Sequence, residues 1–125
     1  MGEKANPLVL VVDDDKNVRE LILGELAGQG YGAAAAGNGK EALAYLKSAA
    51  RPPRLILLDL MMPEMTGWEF RDRQQEDPSI ADIPVAIITG LPDVAGKAAA
   101  IGAVDVLYKP SRVEPLAALL DRFCR

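Results

Sequence analysis

The chain contains no histidine, one cysteine and few aromatic residues, 5% of its 125 positions. The missing histidine excludes Ser-His and Cys-His nucleophilic chemistry, imidazole metal sites and a histidine phosphocarrier. The lone Cys124 cannot form an internal disulfide and has no imidazole to activate it, which fits a reduced, cytoplasmic setting. No apolar run approaches the roughly 18 residues of a membrane span. The stretch Met1–Pro7 shows no signal-peptide pattern. Lys and Arg are scattered, and with a net charge of −4 the chain offers no basic face for nucleic acid. What is present suffices for a core. Half the residues are hydrophobic and 26% are charged, so one ordered domain over residues 1–125 is expected.

Strand and helix signals alternate from end to end. Leu8–Asp13 reads as a buried strand. Asp15 is the expected N-cap of a helix from Lys16 to about Ala27, with an apolar stripe of Val18, Leu21, Ile22 and Leu26 and a stop at Gly28 and Gly30. Tyr31–Ala36 is alanine-rich, which favours helix locally. Its short length and flanking glycines argue for a strand. Asn38 is a candidate cap for a helix from Lys40 to about Ser48 with Ala42, Leu43 and Leu46 inward, broken by Arg51-Pro52-Pro53. Leu55–Asp59 has no polar alternation and reads as a strand buried on both faces. A loop from Met62 to Gly67 leads to a helix from about Trp68 to Glu76. Then follow a strand Pro84–Thr89, a helix Pro92–Ile101, a strand Val104–Tyr108 and a terminal helix from Val113 to Phe123 carrying Leu116, Leu119, Leu120 and Phe123. Five βα units in succession predict an α/β three-layer sandwich around a parallel sheet. Right-handed crossovers suit the flavodoxin-like strand order 2-1-3-4-5.

The polar residues that end the apolar runs are the candidate site. Asp13 and Asp14 follow the first strand, Asp59 ends the third, Thr89 ends the fourth and Lys109 follows the fifth. In an open parallel sheet all of these gather at the carboxyl edge, where such sheets bind ligands. Three carboxylates at one edge repel one another, and a hard divalent cation relieves this. Mg²⁺ takes one or two carboxylates, several waters and a phosphate oxygen. A carboxylate beside Mg²⁺ can act as a nucleophile toward phosphorus. Each residue is ordinary alone; their ordered conjunction is not.

Taken together, Val11-Val12-Asp13-Asp14, Leu57-Leu58-Asp59 through Met62-Pro63 to Gly67, Thr89-Gly90, Gly102-Ala103 and Lys109-Pro110 resemble the receiver domain of two-component response regulators over nearly the whole chain. The resemblance implies a phosphoacceptor, Asp59, charged by a histidine kinase or a histidine phosphotransfer protein. It implies Mg²⁺ bound by Asp14, Asp59 and the Met61 backbone carbonyl, with Asp13 acting through water. It implies that Thr89 and Lys109 hold the phosphoryl oxygens. The output is then a switched face built from the fourth helix, fifth strand and fifth helix. That face is expected to meet an output protein or domain, or a second copy in a phosphorylation-dependent dimer. Such a protein is a signalling phosphoacceptor, not an enzyme with turnover.

Some positions depart from the common pattern. Thr66 stands where Asp is frequent and is expected to cap the following helix. Val106 stands where many receivers carry Tyr or Phe. Tyr108 is expected on the opposite face of its strand, and so is no simple substitute. Met61 and Leu91 are apolar where many members are polar, which implies slow hydrolysis of the phospho-form. The main alternative is a small Mg²⁺-dependent phosphohydrolase with an aspartyl nucleophile, suggested by Asp-x-Asp in Asp13–Asp15. There, however, Lys16-Asn17 follows in place of the usual x-Thr/Val. A flavodoxin-type FMN carrier needs a hydroxyl-rich phosphate loop where this chain has Asp13–Asn17.

Overall fold

The computed structural model describes residues 8–90, 94–108 and 113–124. Along them lie β1 Leu8–Val12, α1 Lys16–Gly28, β2 Gly32–Ala36, α2 Gly39–Ser48, β3 Leu55–Asp59, α3 Gly67–Glu76, β4 Val85–Thr89, α4 Ala95–Ala100, β5 Asp105–Tyr108 and α5 Val113–Cys124. The strands form one parallel sheet in the order β2-β1-β3-β4-β5, as expected. The expected bounds hold to about a residue everywhere but α4, whose expected start at Pro92 lies outside the described residues.

Successive residues of a strand point to opposite faces, so each apolar run is divided between two cores. Leu10, Val12, Ile56, Leu58, Val85 and Ile87 meet Ala42, Leu46, Phe70, Val94 and Ala98 from the α2, α3 and α4 side. Val9, Val11, Leu55, Leu57, Ala86, Ile88 and Leu107 meet Ile22 and Leu26 of α1 and Leu116, Leu119, Leu120 and Cys124 of α5. β3 and β4 are buried along their whole length, which is why their sequences show no polar alternation. Each such Leu or Ile contributes ~1.5–3 kcal/mol.

β2 is Gly32 followed by four alanines, and every residue pairs in parallel register with β1, from Leu8–Gly32 to Val12–Ala36. Pairing here overrides alanine's helical preference. Small side chains suit a strand against which both α1 and α2 pack.

Local signals set the helix ends. Asp15 accepts the Asn17 and Val18 N–H groups, and Asn38 accepts that of Glu41. α1 runs through Gly28. It closes at Gln29, whose N–H meets the Glu25 and Leu26 carbonyls, and Gly30 turns the chain at φ 85°. One expected core residue is not in the core. Leu21 and Leu23 stand ~100° to either side of Ile22. The helix packs its Leu23 flank inward and leaves Leu21 54% exposed.

Gly24 lies inside α1 and, apart from its chain neighbours and the helix's own backbone, no atom stands within 4 Å of where a Cβ would be. Gly24→Ala should therefore raise stability by ~0.5–1 kcal/mol, whereas Leu26→Ala should lower it by ~2–5 kcal/mol. Urea unfolding midpoints check both signs.

Candidate functional site

Because the strands are parallel, β1, β3 and β4 end on the same edge of the sheet. Asp13 directly follows β1 and is buried, with its N–H donating to the Ala36 carbonyl at 3.1 Å. Its Oδ1 accepts the Asp15 N–H at 2.9 Å, and its carbonyl accepts Arg19 Nη1 at 2.8 Å. Asp59 ends β3 and is also buried, its Oδ1 accepting the Met61 N–H at 3.3 Å. Asp14 is exposed. One carboxylate oxygen from each of Asp13, Asp14 and Asp59 lies within 4.8 Å of the others. This all-oxygen donor set, shielded at two residues and open to solvent at the third, fits a hard divalent cation. Thr89 is buried at the end of β4, one register step beyond the Asp59–Ile88 pair. Lys109, Pro110 and Leu91 lie outside the described residues.

The loop after Asp59 is held close by a glycine. A Cβ on Gly67 would stand 2.6 Å from the Asp59 carbonyl oxygen and 2.8 Å from Leu60 Cα, so only hydrogen fits. The Gly67 N–H donates to the Leu60 carbonyl at 2.9 Å. Thr66 caps α3 as expected: its hydroxyl accepts the Glu69 N–H, while the Glu69 carboxylate accepts the Thr66 N–H. Between them the Met65 N–H closes on the Pro63 carbonyl at 2.7 Å, which centres a γ-turn on Glu64 at φ 65°. That left-handed conformation is costly for a residue with a Cβ. Glu64 Oε2 accepts Asn38 Nδ2 at 3.3 Å, and Met65 fills the space where Gly39 lacks a side chain. The β2–α2 and β3–α3 loops are thus packed together beside the cluster.

One expectation is corrected. Tyr108 lies two residues from Val106, a full strand period, so the two share a face. The buried Leu107 between them joins the α1–α5 core, while Val106 packs on the α2–α4 side. Tyr108 therefore belongs to the Val106 face, 46% exposed and paired in register with Thr89. Other residues gave no sequence signal. Arg19 locks the carbonyl of Asp13, although its place in the first turn of α1 reads as ordinary surface. Arg71 and Gln74 are buried on α3 despite their polarity. Cys124 is buried, and desolvation pushes its thiol pKa up against the lowering charge of Arg54, in keeping with an unactivated side chain. A cavity of about 300 Å³ between α2 and α3 is lined by Leu43, Lys47, Met65 and Arg73 among others, and by none of the acidic cluster.

The family model described as response regulator receiver domain matches residues 9–121. The two-component response regulator ORR11 of Oryza sativa is 35% identical over 124 residues, 98% of this chain and 84% of that protein. The DNA-binding dual master transcriptional regulator RpaA of Synechocystis is 35% identical over 121 residues, 95% of this chain. The chain spans about half the length of several curated relatives, 49% of RpaA among them. Among solved structures, the Vibrio cholerae chemotaxis protein CheY4 superposes with a TM-score of 0.84 at 32% identity, covering 95% of this chain and 99% of that one. A response regulator receiver protein from Pseudomonas putida gives 0.86 at 30%, covering 96% and 99%.

The two loop observations predict opposite outcomes. Gly67→Ala should cost ~1–3 kcal/mol through the clash with the Asp59 backbone. Glu64→Gly should gain ~1 kcal/mol by relieving the positive φ. Urea denaturation of both variants checks the pair.

Proposed function

The chain belongs to the response regulator receiver domain family, and on that premise we propose that Asp59 is its phosphoacceptor, charged by a histidine kinase or a histidine phosphotransfer protein. The observation that carries this is the meeting of Asp13, Asp14 and Asp59 at one strand edge, with carboxylate oxygens within 4.8 Å of one another. In the transfer an Asp59 carboxylate oxygen attacks phosphorus in line with the histidine nitrogen. The O–P bond forms as the N–P bond breaks, and the imidazole leaves with the electron pair.

Asp14, Asp59 and the Met61 carbonyl, with Asp13 through water, would hold Mg²⁺, which would supply positive charge against the phosphoryl oxygens. The chain's own groups do the positioning. Asp13 Oδ1 takes the Asp15 N–H and Asp59 Oδ1 that of Met61, so main chain orients one oxygen of each buried carboxylate. Asp59 is shielded from bulk water, which strengthens every charged contact it makes. Thr89 donates its hydroxyl to a phosphoryl oxygen, and Lys109 supplies a point charge to another. The Met61 side chain, 58% exposed beside Asp59, offers no hydrogen bond to orient a hydrolytic water, which supports a long-lived phospho-form.

Residues 1–125 then act as one receiver domain whose output is binding rather than turnover. The face of α4, β5 and α5 meets an output protein or domain, or a second phosphorylated copy. The net charge of −4 supports protein rather than nucleic acid as the contact. No helix among the described residues is long and apolar enough to cross a membrane, and the reduced lone Cys124 suits the cytoplasm. The phosphohydrolase alternative is not favoured, since the Asp-x-Asp element continues as Lys16-Asn17 and opens a helix.

Incubation with acetyl phosphate and Mg²⁺ should add one phosphoryl group to the protein and none to Asp59→Asn. Equal labelling of the variant in intact-mass spectra rejects the assignment.

The acidic cluster separates into ligand and cap. Asp14→Asn should weaken Mg²⁺ binding by an order of magnitude or more. Asp15→Asn, which keeps a capping oxygen on α1, should leave it nearly unchanged and cost at most a few tenths of a kcal/mol of stability. Calorimetric titration of the two variants distinguishes them.

A further inference from the structure

Two polar residues occupy the inner face of α3. Arg71 is 7% exposed and Gln74 is 0% exposed. Their partners lie at the end of α4. There Gly102, at φ 74°, donates its N–H to the Ala99 carbonyl, and Ala103 donates to that of Ala98. This closing pattern leaves the next carbonyls, of Ile101 and Gly102, beyond the reach of the helix. Arg71 takes both: Nε donates to Ile101 O at 2.8 Å and Nη2 to Gly102 O at 3.4 Å. Its Nη1 donates to Gln74 Oε1 at 2.8 Å. Gln74 Nε2 in turn donates to Ile80 O at 2.9 Å and Ile83 O at 3.0 Å, in the segment that enters β4. Every arm of the pair thus ends on main chain or on its partner. The guanidinium also stands where the α4 backbone dipole is negative.

The opposite end of α4 is built differently. Val94 precedes the helix with no side-chain cap hydrogen bond, and Gly96 lies within its first turn. One end is tied by a buried cation; at the other, among the described residues, Val94 and Ala98 reach the core. The tied end also connects to the acceptor. Arg71 follows Gly67 by one turn on the same side of α3, and Gly67 rests against the Asp59 carbonyl.

We propose that Arg71 and Gln74 form a fixed anchor, so that α4 responds to events at Asp59 by pivoting about Ile101–Gly102 and moving mainly at its Val94 end. The pivot itself rests on the phosphoacceptor reading; the anchor does not. In the unmodified protein, the Gly102 and Ala103 amides of the double variant Arg71→Leu, Gln74→Leu should exchange with solvent roughly tenfold faster than in wild type. Protection of Val9–Val12 should stay as it was, which shows the sheet intact. Arg71→Lys, which keeps a donor for one carbonyl, should fall in between. On treatment with acetyl phosphate and Mg²⁺, wild-type NMR shift changes should be large from Val94 to Lys97 and small from Ile101 to Ala103. In the double variant they should spread over the whole helix. Unchanged protection at Gly102 and Ala103 in the double variant overturns the anchor. Wild-type shift changes as large at Ile101–Ala103 as at Val94–Lys97 overturn the pivot. Intact mass is read in parallel. A wild type that takes up no phosphoryl group counts against the acceptor assignment, and the exchange comparison still decides the anchor.

Discussion

Every strand of this sheet runs in the same direction, and the rest of the molecule depends on that constraint. A parallel strand must be followed by a return crossover, which covers both faces of the sheet with helices. All strand ends then fall on one edge. Register decides what arrives there together. Val12 lies opposite Leu58, and Leu58 opposite Ile87, so Asp13, Asp59 and Thr89 emerge within about one residue of the same level. A slip of one residue in β3 would turn its leucines to the wrong faces and carry Asp59 into the core. The two cores therefore hold the acidic cluster in place although neither contributes a polar atom to it.

Gathering three carboxylates has a cost, and much of the surrounding detail offsets it. Main-chain N–H groups of Asp15 and Met61 point at Asp13 and Asp59. Arg19 holds the Asp13 peptide from α1. The β3–α3 loop accepts a strained Glu64 so that Thr66 and Glu69 can close the start of α3 on the strand that ends in Asp59. Strain of this kind persists where surrounding contacts over-determine it. Here the Asn38–Glu64 and Gly39–Met65 contacts are those surroundings.

The sequence was legible where chemistry and periodicity agreed. Apolar runs ending in Asp13, Asp59 and Thr89 marked three strands and their edge, and Asp15, Asn38 and Thr66 marked caps that the structure contains. The alanines of β2 could be read only through the alternation around them, because their local preference points the other way. Leu21 misled because a helical stripe is wider than the surface it covers. Tyr108 was expected on the opposite face, although its distance from Val106 is two residues, a full strand period. Arg71 and Gln74 were invisible because their partners, the carbonyls of Ile80, Ile83, Ile101 and Gly102, are backbone atoms brought near only by the fold. Main-chain acceptors leave no residue pattern to read.

Gly67 is followed at once by Trp68, the chain's one tryptophan, half-buried against the α2–α4 core in the first turn of α3. The indole is therefore attached to the peptide that rests on Asp59. Its emission is unmixed with that of any other tryptophan and depends on the packing of the loop that follows Asp59. The protein carries an intrinsic optical reporter, and changes of state at the carboxyl edge are open to stopped-flow observation without a label.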